Sequence, residues 1–131
     1  MTPKKIWSNL AVSDLARTTR FYTALGFKPT GSNNELTGFQ FGESGFVINF
    51  LMKEVLEKNT NSQIADAHTA NEVVFSLSAQ STAEADQWAK EIEAAGGKLV
   101  SQPREFGKGY YGFDFADPDG HRFNVFFMEG M

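Results

Sequence analysis

A hairpin that occurs twice constrains the fold of this chain more than any other feature of its sequence. Residues 113–128 read FDFADPDGHRFNVFFM, which is two strand-like runs joined by a tight DPDG turn at 117–120. Residues 38–52 read GFQFGESGFVINFLM and repeat this pattern, so that Asn49 corresponds to Asn124. A hairpin repeated at this distance predicts that a larger unit around it is repeated as well.

The elements around the two hairpins follow the same order in both halves of the chain. Apolar alternation predicts a first strand in each half, and apolar residues at helical spacing predict a helix after it. Ser13 or Asp14 can cap the first helix, and Ser81 with Glu84 forms a capping box at the second. Each half is therefore βαβββ. The predicted strands are 6–12, 27–30, 36–41 and 46–52 in the first half, and 72–78, 98–102 and the two arms of the last hairpin in the second; the helices end at Leu25 and before Gly96-Gly97.

The predicted fold class is α+β, with two tandem βαβββ modules in a single domain that spans 1–131. Module one covers about 5–52 and module two about 72–129. Residues 53–71 form a polar insert between them, of which the first six are expected to form one or two helical turns. An insert of this length is often a lid over a binding site, and the alternative is a plain connector.

The composition excludes several classes of function. The net charge is −4 and no basic run occurs, which argues against nucleic-acid binding. The chain contains no cysteine, so it has no disulfide, no thiolate metal site and no cysteine nucleophile. No apolar run approaches the length of a membrane span and no apolar signal region follows the start, so we expect a cytoplasmic protein without membrane contact.

The aromatic content is high. Aromatic residues make up 14% of the chain, and 13 residues are Phe. This is more than a minimal core requires, and it would suit a cavity lined by rings. The alternative is that the rings simply fill the core.

Three motifs together resemble the vicinal oxygen chelate superfamily. They are the Val-x-Asp-Leu run at 12–15, the Phe-Tyr and Leu-Gly-Phe segments within 21–27, and the Asp-Pro-Asp-Gly turn at 117–120. That superfamily includes glyoxalase I, the extradiol dioxygenases and the fosfomycin- and bleomycin-resistance proteins, and the chain is most similar to its uncharacterised glyoxalase-like bacterial branch. The resemblance covers nearly the whole chain, and it implies curled mixed sheets around a concave cavity and a homodimer.

The resemblance also implies where a metal ion would be bound. Metal-dependent members hold a divalent ion with His or Glu side chains at four positions, which fall here on Trp7, Asn49, Glu72 and Asn124. An indole cannot ligate a metal, and amide oxygens are poor ligands for zinc, nickel or iron. Only Glu72 remains, so we expect no metal cofactor.

Neither histidine is expected to replace these ligands. His121 lies beside the last turn, which it is expected to shape, and His68 lies in the polar insert, where it is expected to be solvated. Neither is at helical or strand spacing from a second ligand candidate.

Strand alternation places an apolar surface with a few amides and one acid on the inner face of the implied cup. Such a surface is typical of small-molecule sites. Glu72 is also the candidate catalytic residue, because burial among rings would make its carboxylate a stronger base. The facing of Tyr111 is not fixed by the sequence. The candidate ligand-binding residues are Trp7, Asn9, Asn49, Glu72, Tyr111, Asn124, Phe126 and Met128.

These observations support three hypotheses of function. The leading one is a metal-free protein of the glyoxalase and bleomycin-resistance type that binds a small aromatic or amide-bearing molecule without transforming it. The rival is an enzyme of the same superfamily, a lyase, isomerase or dioxygenase resembling lactoylglutathione lyase, that uses a divalent metal or Glu72 as the base. The third is a structural or regulatory partner protein without a ligand.

Overall fold

The computed structural model describes all residues from Met1 to Met131 as two compact units, 1–65 and 66–131. Each unit contains one sheet of mixed strand orientation and one long helix, so the predicted α+β class is confirmed. No helix is both long and apolar enough to cross a membrane. The elements are β1 (Trp7–Val12), α1 (Leu15–Ala24), β2 (Lys28–Ser32), β3 (Leu36–Phe41), β4 (Phe46–Met52), α2 (Lys53–Thr60), β5 (Val74–Ser78), α3 (Thr82–Ala95), β6 (Lys98–Leu99), β7 (Arg104–Glu105), β8 (Tyr110–Ala116) and β9 (Arg122–Met128).

The sheet of the first unit has the strand order β1-β4-β3-β2, in which β1 runs parallel to β4 and the other neighbours are antiparallel. α1 begins where the sequence predicts, because the Asp14 side chain accepts a hydrogen bond from the backbone N–H of Arg17 at 3.0 Å. The helix ends at Ala24, and Gly26 then adopts a φ of 85°, which glycine reaches without steric cost. The first half of the chain therefore has the predicted βαβββ order.

Aromatic rings fill the core of the first unit. Tyr22 of α1 is fully buried, and its ring stacks on Phe50 of β4 with centroids 4.6 Å apart. Phe39 and Phe41 of β3 lie 5.6 and 5.7 Å from the same ring, and Phe21 contacts it edge-on at 4.9 Å. These rings therefore pack between the helix and the sheet rather than lining a cavity.

The second unit repeats the topology. Its sheet has the order β5-β9-β8-β6 with β5 parallel to β9, and β7 also pairs with β8. Phe115 of β8 and Phe123 of β9 stack with centroids 5.1 Å apart and planes inclined by 7°. Both are buried, together with Phe113 and Val125. The second core is again built largely from Phe.

The strand predicted at 98–102 is wrong beyond Leu99. The backbone N–H groups of Val100 and Ser101 both donate to the carbonyl of Asp114, at 2.8 and 3.2 Å, which interrupts the regular ladder. Pairing with β8 resumes only in β7, after Pro103. The two short strands β6 and β7 therefore replace one predicted strand.

The capping box at α3 is confirmed, with one difference in geometry. Ser81 accepts a hydrogen bond from the backbone N–H of Glu84 at 3.0 Å. The carboxylate of Glu84 accepts from the backbone N–H of Gln80 at 2.6 Å, one residue before the cap residue that the motif specifies. The first bond satisfies an amide that the helix itself leaves unpaired, and the second fixes the residue that precedes the cap.

The polar insert is divided between the two units. The predicted helical turns are confirmed as α2, which packs against β1 and β4 and buries Leu56. Residues 66–71 instead cover the DPDG turn, where the Asn71 side chain donates to the carbonyl of Gly120 at 3.2 Å. A Cβ at Gly120 would lie 2.7 Å from the backbone nitrogen of His68, so glycine is required for this close approach.

Two strand glycines allow a matched test of packing. A Cβ at Gly112 would overlap the backbone carbonyl oxygen of Val125, whereas one at Gly38 would meet only the side chains of Thr30 and Asn49. Since backbone cannot rotate away, we expect Gly112→Ala to lower the free energy of unfolding by about 3 kcal/mol, and Gly38→Ala by about 1 kcal/mol. Urea denaturation followed by circular dichroism measures both. Equal losses would contradict this view of the two sites.

Candidate functional site

Each sheet has one face against its long helix and one face turned away from it, which we call the open face. In the first unit, Phe50 packs on α1, so its neighbour Asn49 lies on the open face. In the second unit, the Tyr111 side chain forms a hydrogen bond with α3, so it lies on the helix-facing side of β8. Because successive side chains point to opposite faces, Gly112 and Asp114 lie on the open face. Each unit is therefore described by itself, from the open-face residues of its own sheet.

The open face of the first unit carries a polar row across three strands. Asn49 of β4 pairs with Asn9 on β1 and with Gly38 on β3. Its side-chain oxygen would lie 2.6 Å from a Cβ at Gly38, and the Thr30 hydroxyl would lie 2.5 Å from it. The absence of a side chain at Gly38 therefore makes room for the Asn49 carboxamide. Trp7 lies two residues before Asn9 on the same face of β1, and its side chain is 54% exposed.

The open face of the second unit carries a corresponding row, which we call the polar rung: Ser76, Asn124, Asp114 and Ser101. Asn124 of β9 pairs with Ser76 on β5 and with Asp114 on β8. Ser101 accepts a hydrogen bond from the backbone N–H of Asp114 at 2.9 Å and donates to its carboxylate at 3.5 Å. A carboxamide thus occupies the middle strand in both units, as the repeat predicts.

Two polar atoms on the open face of β9 are buried without a hydrogen-bond partner. They are the Nε of Arg122, a donor, and the Oδ1 of Asn124, an acceptor. Arg122 is absent from the candidates predicted from the sequence. It precedes Asn124, Phe126 and Met128 at the same two-residue spacing, and this spacing could have placed it on the same face. Because a buried polar atom without a partner costs about 1–3 kcal/mol, such atoms require an explanation.

An aromatic cluster lies beside these atoms. The ring of Phe126 lies 5.4 Å from that of Tyr110 and 6.0 Å from that of Phe106, and the last two rings stack at 6.2 Å. Met128 pairs with Tyr110 at the end of the same ladder. The structure therefore places Asn124, Phe126 and Met128 on one face, as the sequence predicts.

Tyr111 lies on the opposite face from the one proposed for it. Its position on β8 is opposite Phe127, and its hydroxyl donates to the carboxylate of Asp86 on α3 at 2.5 Å. This hydrogen bond, reinforced by desolvation and the negative charge of Asp86, raises the pKa of Tyr111 above its ordinary value. Tyr111 is thus a helix-to-sheet contact of the second unit.

Glu72 also differs from expectation. β5 begins at Val74, and Glu72 lies in a bend before it with its side chain exposed. Glu72 is therefore not buried among aromatic rings, as its proposed role as a base requires. Glu72 therefore does not share the open face with Asn124.

A sequence model of the Glyoxalase/Bleomycin resistance protein/Dioxygenase superfamily matches residues 7–125. The chain belongs to this superfamily. A hypothetical protein from S. aureus is 31% identical, with 97% of this chain and 95% of that chain covered and a TM-score of 0.85. A search of curated proteins found no significant match.

Two further solved structures share the fold at lower identity. A glyoxalase-related enzyme from Fulvimarina pelagi is 23% identical, with coverage of 95% and 88% and a TM-score of 0.82. A lactoylglutathione lyase from Agrobacterium tumefaciens is 21% identical, with coverage of 96% and 95% and a TM-score of 0.71. At these identities the likeness shows the common fold.

The strand register changes one of the four positions that the resemblance implies for metal ligands. Trp7 pairs with the residue two before Asn49. The equivalent pair in the second unit joins Val74 to the residue two before Asn124. The counterpart of Trp7 is therefore Val74, and the sequence-based assignment to Glu72 is displaced by two residues.

The side chains at these four positions do not fit a divalent metal ion. The first unit offers Trp7 and Asn49, and the second offers Val74 and Asn124, so neither supplies an imidazole or a carboxylate. Zinc, nickel and iron favour such ligands over amide oxygens. No group of three His, Asp or Glu side chains elsewhere in the chain could hold a metal ion either.

The histidines have the roles that the sequence predicts. His68 is exposed. His121 is buried at the DPDG turn, where its backbone N–H donates to the side chain of Asp117 at 2.9 Å and its carbonyl accepts from the Asp117 N–H. These bonds shape the turn that joins β8 to β9.

The unpartnered oxygen of Asn124 leads to a stability prediction. Leucine has a similar shape and removes the buried acceptor, so we expect Asn124→Leu to leave the free energy of unfolding unchanged or to raise it by up to about 1 kcal/mol. Asn33→Leu is the control, because the Asn33 oxygen accepts from the backbone N–H groups of Glu35 and Leu36 at 2.8 and 3.0 Å. We expect this variant to lose about 1 kcal/mol. Urea denaturation compares the two, and an equal loss in Asn124→Leu would show that its carboxamide has a structural role.

The contact between Tyr111 and Asp86 leads to a pH prediction. Because the pKa of Tyr111 is raised, the stability contributed by its protonated hydroxyl is complete below the ordinary tyrosine range and is lost as the pH rises through the raised value. Asp86→Asn removes the negative charge, so Tyr111 should then ionise at lower pH. Ultraviolet titration of phenolate measures this, with Glu93→Gln on the same helix as the control and Tyr111→Phe to identify the signal. An unchanged titration in Asp86→Asn would refute the assigned cause.

Proposed function

We propose that this protein binds a small organic molecule on the open face of its sheets and that it does so without a metal ion. The observation that carries the proposal is the set of residues at the four superfamily ligand positions, which are Trp7, Asn49, Val74 and Asn124. These are two apolar side chains and two carboxamides. The positions on the sheets are therefore present, but the side chains at them are not ones that bind a metal ion.

The surroundings of the carboxamides support small-molecule binding. In the second unit, Phe126, Tyr110 and Met128 form an apolar surface beside Asn124, and in the first unit Trp7 offers an exposed ring beside Asn9 and Asn49. Apolar walls with a few polar groups that fix orientation are typical of ligand sites. The unpartnered atoms of Arg122 and Asn124 add hydrogen-bonding capacity that the protein itself does not use.

The enzymatic alternative has less support in this chain. One solved relative of the same fold is named a lactoylglutathione lyase, and an equivalent reaction here would need a divalent metal or Glu72 as the base. The ligand positions do not fit the metal. Glu72 is exposed and lies outside β5, away from the open face that carries Asn124.

A homodimer is part of the proposal. β1 and β5 are edge strands of their sheets, and exposed apolar residues lie at the start of each strand or just before it: Trp7 and Ile6 at β1, and Val74 and Val73 at β5. Exposed apolar residues on an edge strand favour association with another chain. A second copy of this chain is the simplest such partner.

Metal analysis tests the proposal directly. We expect the purified protein, incubated with zinc, nickel, manganese or ferrous ions and then dialysed, to retain far less than one equivalent per chain, because no imidazole or carboxylate is present at the ligand positions. Asn49→Ala and Asn124→Ala are the matched variants and should give the same result. One firmly bound ion per chain that either variant releases would overturn the proposal.

A further inference from the structure

We infer that the open face of the second unit recognises a neutral carboxamide group attached to an aromatic ring, with Arg122 as the hydrogen-bond donor and Asn124 as the acceptor. This inference rests on the proposed function and assigns a ligand class to one of its surfaces. Its starting point is the pair of buried atoms, Arg122 Nε and Asn124 Oδ1, that have no partner within the protein.

The pairing of one donor with one acceptor selects the ligand chemistry. Arg122 and Asn124 are two residues apart on one strand, so their side chains project from the same face about 7 Å apart at the backbone. A carboxylate offers only acceptors and would leave the Asn124 oxygen unpaired, whereas an amidinium offers only donors and would leave the Arg122 Nε unpaired. A carboxamide presents a carbonyl oxygen and an N–H group side by side, and it satisfies both atoms.

The charged side chains around the two atoms are of both signs, so the hydrogen-bond pattern rather than the net charge selects the ligand. Asp114 is directly opposite Asn124 on β8, and Arg122 pairs with Ala116, so the carboxylate and the guanidinium are diagonal neighbours across the ladder. Lys98 of β6 also pairs with Ala116, so this face carries cations as well as the Asp114 carboxylate. A second carboxylate, brought by a ligand, would lie close to Asp114 and be repelled.

The ring of the ligand is assigned to the aromatic cluster. Phe126 follows Asn124 on the same face, one side-chain spacing further along β9, and Tyr110 and Phe106 pack around it. A planar ring bonded to the carboxamide would reach this cluster while the amide contacts Arg122 and Asn124. Aromatic pairs contribute favourable contacts beyond the area that they bury.

Three probes of nearly equal shape test the hydrogen-bond pattern. Benzamide presents an acceptor and a donor, benzoate two acceptors, and benzamidine only donors. We expect benzamide to bind the full-length protein about 10-fold more tightly than either analogue, since each analogue leaves one buried atom unpaired. Titration followed by NMR chemical shifts gives the three dissociation constants and shows whether residues of β8 and β9 respond.

Variants connect the preference to the two side chains. Asn124→Leu and Arg122→Met should each abolish the preference for benzamide, and Asn124→Asp, which adds a negative charge, should shift the preference toward benzamidine. Asn33→Leu and Arg20→Met are matched controls outside the site and should retain the wild-type order. NMR spectra of each variant establish that it is folded before its affinities are compared.

The outcomes separate this inference from the proposed function. Tighter binding of benzoate or benzamidine than of benzamide by the wild type would overturn the amide assignment while small-molecule binding stands. Equal benzamide affinity in wild type, Asn124→Leu and Arg122→Met would overturn the assigned residues. Absence of binding by all three probes would overturn the inference as well, whereas the metal-free character of the proposed function is tested independently by the metal content.

Discussion

The parallel pairing of β1 with β4 and of β5 with β9 fixes the register on which the rest of each unit depends. β9 lies between β5 and β8, and hydrogen bonds on both of its edges hold Phe123 and Val125 in the core. Alternation then requires Asn124 and Phe126 to lie on the open face. A slip of one residue would bring a fully buried ring into water and a carboxamide into the core, so the burial of the rings also positions the polar rung.

The separation of the two faces explains how the chain tolerates unpartnered polar atoms. The helix-facing sides hold nearly all of the buried rings, and each fully buried Phe contributes about 1.5–3 kcal/mol through removal of apolar surface from water. The cost of the Arg122 and Asn124 atoms is smaller than this sum, so the fold survives it. Residues that break a local rule in an otherwise consistent structure are concentrated at functional sites.

The elements that the sequence predicts correctly are those with a local physical signal. Asp14 and Ser81 cap their helices through hydrogen bonds within three residues, and the two hairpins follow from turn residues between alternating runs. The open-face placement of Asn49 and Asn124 follows from the same alternation. Signals of this kind depend only on residues that are close together in the sequence.

The errors arise where the answer depends on pairing between distant strands. The repeat alone does not fix Glu72, because the first strand of the second unit begins at Val74, and only its pairing with β9 identifies the counterpart of Trp7. The facing of Tyr111 likewise depends on its partner Phe127 and on Asp86 in a distant helix. Arg122 was overlooked because a charged residue at a strand start is usually solvated, and its burial becomes visible only in three dimensions.

Under the proposed function, uncharged side chains occupy the positions where the resemblance implies metal ligands, and this changes the kind of recognition that the open faces can perform. Clustered carboxylates repel one another, and a polar cluster of carboxylates and imidazoles stays hydrated unless a metal ion balances its charge. Such a site therefore depends on its metal. Trp7, Val74 and two carboxamides carry no charge, and they can be partly buried without an ion. A metal ion attracts any pair of neighbouring oxygens, whereas a donor beside an acceptor distinguishes an amide from an acid of the same shape. Under the proposed function, the protein therefore selects its ligand by the arrangement of hydrogen-bond donors and acceptors rather than by the charge of a bound metal ion.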